Sequence, residues 1–194
     1  MCKQTLLMKH SIKYITFVGL LATVAWFVKD PGWDSFAAAL LTFAGFLSLD
    51  INITLAQREK ETDVALYSKI VNELPSTGTI KFLRDFDFGG SFKLESLNQL
   101  INFVERWGGP EFRFHDAEIE KSKNGLYDAS KNFMNGIAQS TSSKSNGTQS
   151  LPTSAALFDQ PRYQELRKSL NDQANEVVQK HEQFIIRCKA KLKV

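Results

Sequence analysis

His115 and Asp116, with Glu111, Glu118 and Glu120 close by, form the one local cluster of metal-ligating side-chain types in the sequence. An imidazole beside carboxylates is the donor set that a divalent cation takes. The same acids are also what a solvated helix start prefers, because the first turn presents unpaired N–H groups and the positive end of the dipole. The second reading is the better one, and no metal ligand or cofactor is assigned. His10 and His181 stand far from this cluster, and the two cysteines, Cys2 and Cys188, lie at opposite ends without a CxxC pair. Neither a zinc site nor a disulfide framework follows from that spacing. Asp87-Phe88-Gly89 matches the kinase magnesium triplet, but no glycine-rich loop, strand lysine or catalytic-loop pattern precedes it. No P-loop or dinucleotide fingerprint is present either. No catalytic residue is therefore assigned, and the chain is not expected to be an enzyme.

Charge excludes a further class. The chain of 194 residues carries a formal net charge of only +3. Up to Leu55 the charged side chains are Lys3, Lys9, Lys13 and Lys29 against Asp30, Asp34 and Asp50, and everything after is nearly balanced. A nucleic-acid binder would show a dense basic stripe, so no nucleic-acid partner is expected.

The elements that must position any site begin with two uncharged runs. Tyr14 to Val28 is bracketed by Lys13 and Lys29, and Ser35 to Leu49 by Asp34 and Asp50. Each is 15 residues long, against the ~20 of a full membrane span. Lysine snorkelling lengthens the first to about 12–29, the second reads as about 33–50, and neither first-segment face is polar. Tyr14, Trp26 and Trp33 sit where an interfacial belt would place them. The expectation is a transmembrane helical hairpin, reversed at Pro31-Gly32, forming a membrane anchor over residues 1–55 in contact with the lipid bilayer. Lysines in the leader, Arg58 and Lys60 after the second run, and Asp30 and Asp34 in the turn orient both termini to the cytoplasm of a bacterial inner membrane. Asp50 reads as the helix leaving the bilayer rather than as a proton path. Asn52-Ile53-Thr54 and Asn146-Gly147-Thr148 match the glycosylation pattern and would stay unused on the cytoplasmic side.

Ser35, Ala38, Thr42, Gly45 and Ser48 recur at three- and four-residue spacing, a face of small side chains that lets another backbone approach. It serves packing within the hairpin first and a homo-oligomer second.

Residues 56–194 read as a helical cytoplasmic domain. Leu55 through Leu74 reads as an amphipathic helix, with Leu55, Leu66, Ile70 and Leu74 on its apolar side and Glu59, Lys60, Glu61, Asp63 and Lys69 elsewhere; Pro75 stops it, and a short helix follows around Thr79 to Asp85. Leu94, Leu97, Leu100, Ile101, Val104 and Trp107 form the next stripe, ended by Gly108-Gly109-Pro110. Asp116 is placed to cap a helix buried along Ile119, Leu126, Phe133, Met134 and Ile137. A Ser/Thr-rich tract from Gln139 to Pro152 opens a flexible loop at about 139–160. A long C-terminal helix then runs from about Pro161 to Lys191, with Leu166, Leu170, Ala174, Val177, His181, Phe184 and Cys188 as a coiled-coil-like seam that serves packing against the other cytoplasmic helices first and dimerisation second. The fold class is all-α.

The most distinctive stretch runs from Ile80 to Phe92 and concentrates Phe82, Phe86, Phe88 and Phe92, with Trp107 and then Pro110, Glu111, Phe112, Arg113, Phe114 and Asp116 beyond it. These aromatics are a candidate core or interaction cluster, either a packed centre beneath two turns or a groove for a protein partner. The stretch resembles a pattern in uncharacterised bacterial proteins with an N-terminal two-helix membrane hairpin and a helical cytoplasmic domain, over about the middle third of the chain. The layout as a whole is similar to SLATT-type two-span proteins linked to bacterial conflict systems. The resemblance implies an architecture and no activity. The sequence thus points to a membrane-anchored helical sensing or interaction module without catalysis of its own. The alternative is a membrane-perturbing effector that oligomerises through its hairpin.

Overall fold

A computed structural model describes the backbone of residues 2–144, 147–152 and 159–194, with side chains throughout except at 2–13 and 49–53. Helices dominate it. In chain order they are α1 (Cys2–Lys29), α2 (Trp33–Glu73), α3 (Thr79–Asp85), α4 (Asn98–Arg106), α5 (Ala117–Ser140) and α6 (Gln160–Leu192). Short 3-10 turns at Leu94–Leu97 and Pro110–Phe112 lead into α4 and towards α5. The mostly helical class and the long C-terminal helix are as the stripes predict.

The chain divides into two compact units, Met1–Glu59 and Lys60–Val194, and α2 contributes to both. In the first unit α1 and α2 are an antiparallel pair, since Phe17 meets Phe46 and Phe27 meets Phe36 with ring centroids 6.2 and 5.9 Å apart. Thr23 and Thr42 hydroxyls lie 3.0 Å apart between the helices. The reversal is at Pro31-Gly32, where Ser35 Oγ donates to Asp30 O at 2.8 Å and accepts from Gly32 N at 3.1 Å.

The expected localisation is overturned. Among the described residues no helix is long and apolar enough to cross a membrane. The uncharged run of α1 from Tyr14 to Val28 covers about 22 Å at ~1.5 Å per residue, short of the ~30 Å hydrocarbon layer. The run of α2 starts only after Asp34. The extension through Ile12 and Lys13, together with Asp50, Asn52 and Asn146, falls outside the residues whose side chains are described. The assignment as an integral protein of the bacterial inner membrane is therefore withdrawn, and the transmembrane character of the hairpin with it.

In the second unit one apolar core is shared by the last turns of α2 and by α3, α4, α5 and α6. Ile70, Leu74, Ile80, Leu83, Leu100 and Phe103 are fully buried there with Ile119, Leu126, Phe133, Val177 and Phe184. α5 and α6 run antiparallel along each other, for Glu118 meets Arg187 while Gly136 lies against Leu170 and Gln173. A Cβ at position 136 would stand 3.2 Å from Leu170 Cδ2 and would displace the end of the Gln173 side chain. Asp116 caps α5 as predicted, accepting from Glu118 N and Ile119 N at 2.9 and 3.1 Å.

One expectation changes here. The tract read as a flexible loop over 139–160 carries structure over its described residues. α5 continues to Ser140, and Ser142–Ser143 (β2) and Thr148–Ser150 (β3) form a hairpin that Phe92–Lys93 (β1) joins. The strand order is β1-β3-β2, both pairs antiparallel, and Gly147 turns the hairpin at φ +77°, a conformation that glycine tolerates. The coiled-coil-like seam of α6 is spent within the molecule: Leu170, Ala174, Val177, His181, Phe184 and Cys188 are all buried, and Leu166 packs beside them.

Candidate interaction surfaces

The first surface is the hairpin itself. Between Tyr14 and Leu55 fifteen large apolar side chains are exposed, among them Ile15 at 71%, Leu41 at 71% and Trp33 at 86%. Two helices can cover only the side that each turns to the other, and sequences with no polar face leave the remainder bare. The small-residue row divides accordingly. Ser35 is buried in the turn, Ala38 is half-buried, and Thr42 meets Thr23 while also donating to Ala38 O. Gly45 and Ser48 are exposed, Ser48 donates to Ala44 O, and a Cβ at position 45 would meet nothing within 4 Å.

The aromatic cluster lies mostly inside the second unit. Phe88, Phe92 and Trp107 are buried, while Phe82 and Phe86 are half-buried and stack at 4.7 Å. Phe88 sits edge-on to Phe86, Phe92 and Phe133, all with centroids 5.2 Å away. Trp107 stands apart from these four rings, stacked on Phe103 at 6.0 Å, and its indole donates to Glu73 at 2.6 Å. What stays open is a shallow hollow of about 350 Å³ beside Phe82, Phe86 and Lys81.

Asp87, the first residue of the kinase-like triplet, is a latch on α6. Its carboxylate accepts from Arg167 through two nitrogens, from Asn171 at 3.0 Å and from Gly89 N at 2.9 Å. Arg167, then Asn171 and Gly89, hold it well below the usual carboxylate range. Asn171 also accepts from Phe88 N, and Tyr163 donates to Gly89 O, so the turn is pinned along two turns of α6.

Three of the acids around His115 are engaged within the fold. Asp116 caps α5, Glu118 pairs with Arg187 and Lys191 at 2.8 and 2.9 Å, and Glu120 accepts from Phe114 N and pairs with Lys123 at 3.0 Å. Glu118 is held below its ordinary value by Lys191 first and Arg187 second. Among the described residues no three His, Cys, Asp or Glu groups are placed to hold a metal ion. An open hollow of about 920 Å³ beside them mixes Glu111, Glu120 and Asp128 with Arg113, His115 and Lys121, without a dominant sign of charge. Cys188 is buried, and burial, then Asp63 and Asp116, push its thiol up to about 12, the opposite of an activated nucleophile.

Two buried charged residues were missed by sequence reasoning. Asp63, 2% exposed, accepts from His115 N and Asp116 N at 2.8 and 2.9 Å and fixes the entry to α5. Lys123, 4% exposed, joins Glu120 to Phe112 O. Both lie in register with an apolar stripe, Asp63 with Leu66, Ile70 and Leu74, and Lys123 with Ile119, Leu126 and Phe133, and that register was the available signal.

A second groove, about 740 Å³, runs between α5 and α6 and is lined by Lys121, Lys180, Arg187 and Lys191 with Glu118 as its single acid. In comparisons with protein-family models, curated proteins and solved structures, nothing matched this chain.

Proposed function

We propose that this chain is a helical interaction module that assembles with copies of itself through the α1–α2 hairpin. The observation that supports the reading is the exposed apolar surface of that hairpin. Fifteen side chains at roughly 100 Å² each leave about 1,500 Å² of apolar area bare, several times the ~300–600 Å² of the largest patch on a typical monomer. A stable interface needs about 800 Å² from each partner. The hairpin offers more than one such face, which suits a bundle of four or more helices.

A second copy is the occupant favoured by shape and charge. Small residues at Gly45 and Ser48 leave room for a helix to approach, and their exposure on the outer side supplies the gap. The turn end carries Lys29, Asp30 and Asp34, all exposed, so two hairpins laid side by side in the same direction bring opposite charges within reach.

Analytical ultracentrifugation of the full chain over a hundredfold concentration range tests this. The expected result is a reversible dimer or higher oligomer. Ile15→Glu together with Leu41→Glu should shift it to monomer, since a buried unpaired charge is excluded from an apolar interface. A monodisperse monomer of the unaltered chain would refute the reading, as would an oligomer indifferent to both substitutions.

A further inference from the structure

We infer that the groove between α5 and α6 is a docking site for an acidic amphipathic helix of a partner protein, which seats an apolar side chain on Ile186 and sets its carboxylates against Lys121, Lys180, Arg187 and Lys191. This surface belongs to the second unit and does not depend on the hairpin.

Three observations carry it. The first is charge: four cations line the groove against the one acid, Glu118. The second is that Glu118 already shows what the cations accept. Its carboxylate receives Arg187 at 2.8 Å and sits 2.9 Å from Lys191, so the geometry for gripping a carboxylate exists. Both pairs are about half exposed, and ion pairs of that kind are worth only about 0–1 kcal/mol, so an incoming acid can share or replace Glu118 cheaply. The third is Ile186, 67% exposed among these charged side chains, with Ala190 one turn beyond it. An aliphatic side chain in the middle of a cationic groove does nothing for a small anion. It matches the apolar anchor of a helix laid between two others.

The dimensions agree. Lys180 to Lys191 spans about 16 Å along α6 at ~1.5 Å per residue, the length of three helical turns. Across from it, α5 offers Ser122 and Gly125, low side chains that keep the floor open.

The test is fluorescence anisotropy on the full chain with a fluorescein-labelled amphipathic peptide of about four helical turns, leucine on one face and glutamate on both flanks. Saturable binding that weakens with salt is expected. Lys180→Glu with Arg187→Glu, and separately Ile186→Ser, should each weaken it about tenfold or more. Lys168→Glu, on α6 outside the groove, should leave it unchanged. All of these positions are on the surface, and circular dichroism melts that overlay the unaltered chain exclude misfolding as the cause. Absence of binding overturns the proposal. So does a peptide with glutamine for glutamate that binds equally well. Competition by inorganic polyphosphate with no effect of Ile186→Ser overturns it too, since that outcome describes a plain anion site.

Discussion

Asp63 shows how a side chain assigned to the polar side of a helix by its charge can lie on the buried side by its spacing. Its place three residues before Leu66 puts it on the buried side of α2, where an unpaired carboxylate would be intolerable. The solution is local: the backbone N–H groups of His115 and Asp116 reach it from the loop before α5. Those partners lie about fifty residues away in sequence, which is why the stripe reveals the anomaly and not the remedy. Asp63→Ala removes the acceptor of two part-buried backbone donors and should cost about 1–3 kcal/mol, whereas Asp63→Asn, which keeps one acceptor oxygen, should cost less. Urea unfolding of the two variants decides it. His181 gives a pH prediction. It is 1% exposed, its Nε2 donates to Leu74 O at 2.9 Å, and burial lowers its pKa from the ordinary 6.5. The unfolded chain therefore binds the proton more readily than the folded one. Stability is fully present above about pH 6.5 and is lost as the pH falls from there towards the lowered folded value. His181→Gln, which keeps a donor for Leu74 O and cannot titrate, should flatten the loss between pH 6.5 and 5 when thermal midpoints are compared.

At the scale of elements, helices were legible and the sheet was not. The stripes of α2, α5 and α6, the Asp116 cap and the stop at Pro75 follow from neighbours within a turn or two, information that sequence carries locally. The strand pairing joins Phe92 to Gln149 and Lys93 to Thr148, more than fifty residues apart, through a Ser/Thr-rich tract whose composition reads as loop. What selects it is the aromatic centre: Phe92 begins β1 and packs on Phe88, which holds Phe86 and Phe133 in turn. Phe88→Ala removes the ring shared by all of these contacts and should cost about 3–5 kcal/mol. Phe82→Ala, at a half-buried position beside an open hollow, should cost clearly less. If the two losses were equal in urea titrations, the cluster would not be centred on Phe88. α6 makes the complementary point, because its seven-position seam was visible in the sequence and packs, as the first reading has it, against the molecule's own core. α3 and α5 lie along α6, and Ile80, Leu83, Leu126 and Phe133 supply apolar surface from them to the same core.

For the whole molecule the informative feature is the contrast between its two units. Lys60–Val194 buries its apolar residues within itself, whereas Met1–Glu59 exposes them, although both are helical and both were anticipated as helices. Apolar runs without a polar face reveal that something must cover them. Among the described residues no helix is long and apolar enough to cross a membrane, and in the proposed reading a second copy of the hairpin covers them. A two-helix hairpin alone is marginal in water, since it buries too little to offset chain entropy. Its stability should therefore follow protein concentration by mass action, while that of the second unit should not. Heating the full chain should give two transitions by circular dichroism and tryptophan fluorescence. The one reported by Trp26 and Trp33 should rise with concentration, and the one reported by Trp107, isolated by replacing the other two with Phe, should stay fixed. Ile15→Glu with Leu41→Glu should lower or abolish the first transition and leave the second in place. A single transition that moves as one under both treatments would show that the units do not unfold independently, and would shift the assembly surface away from the hairpin alone.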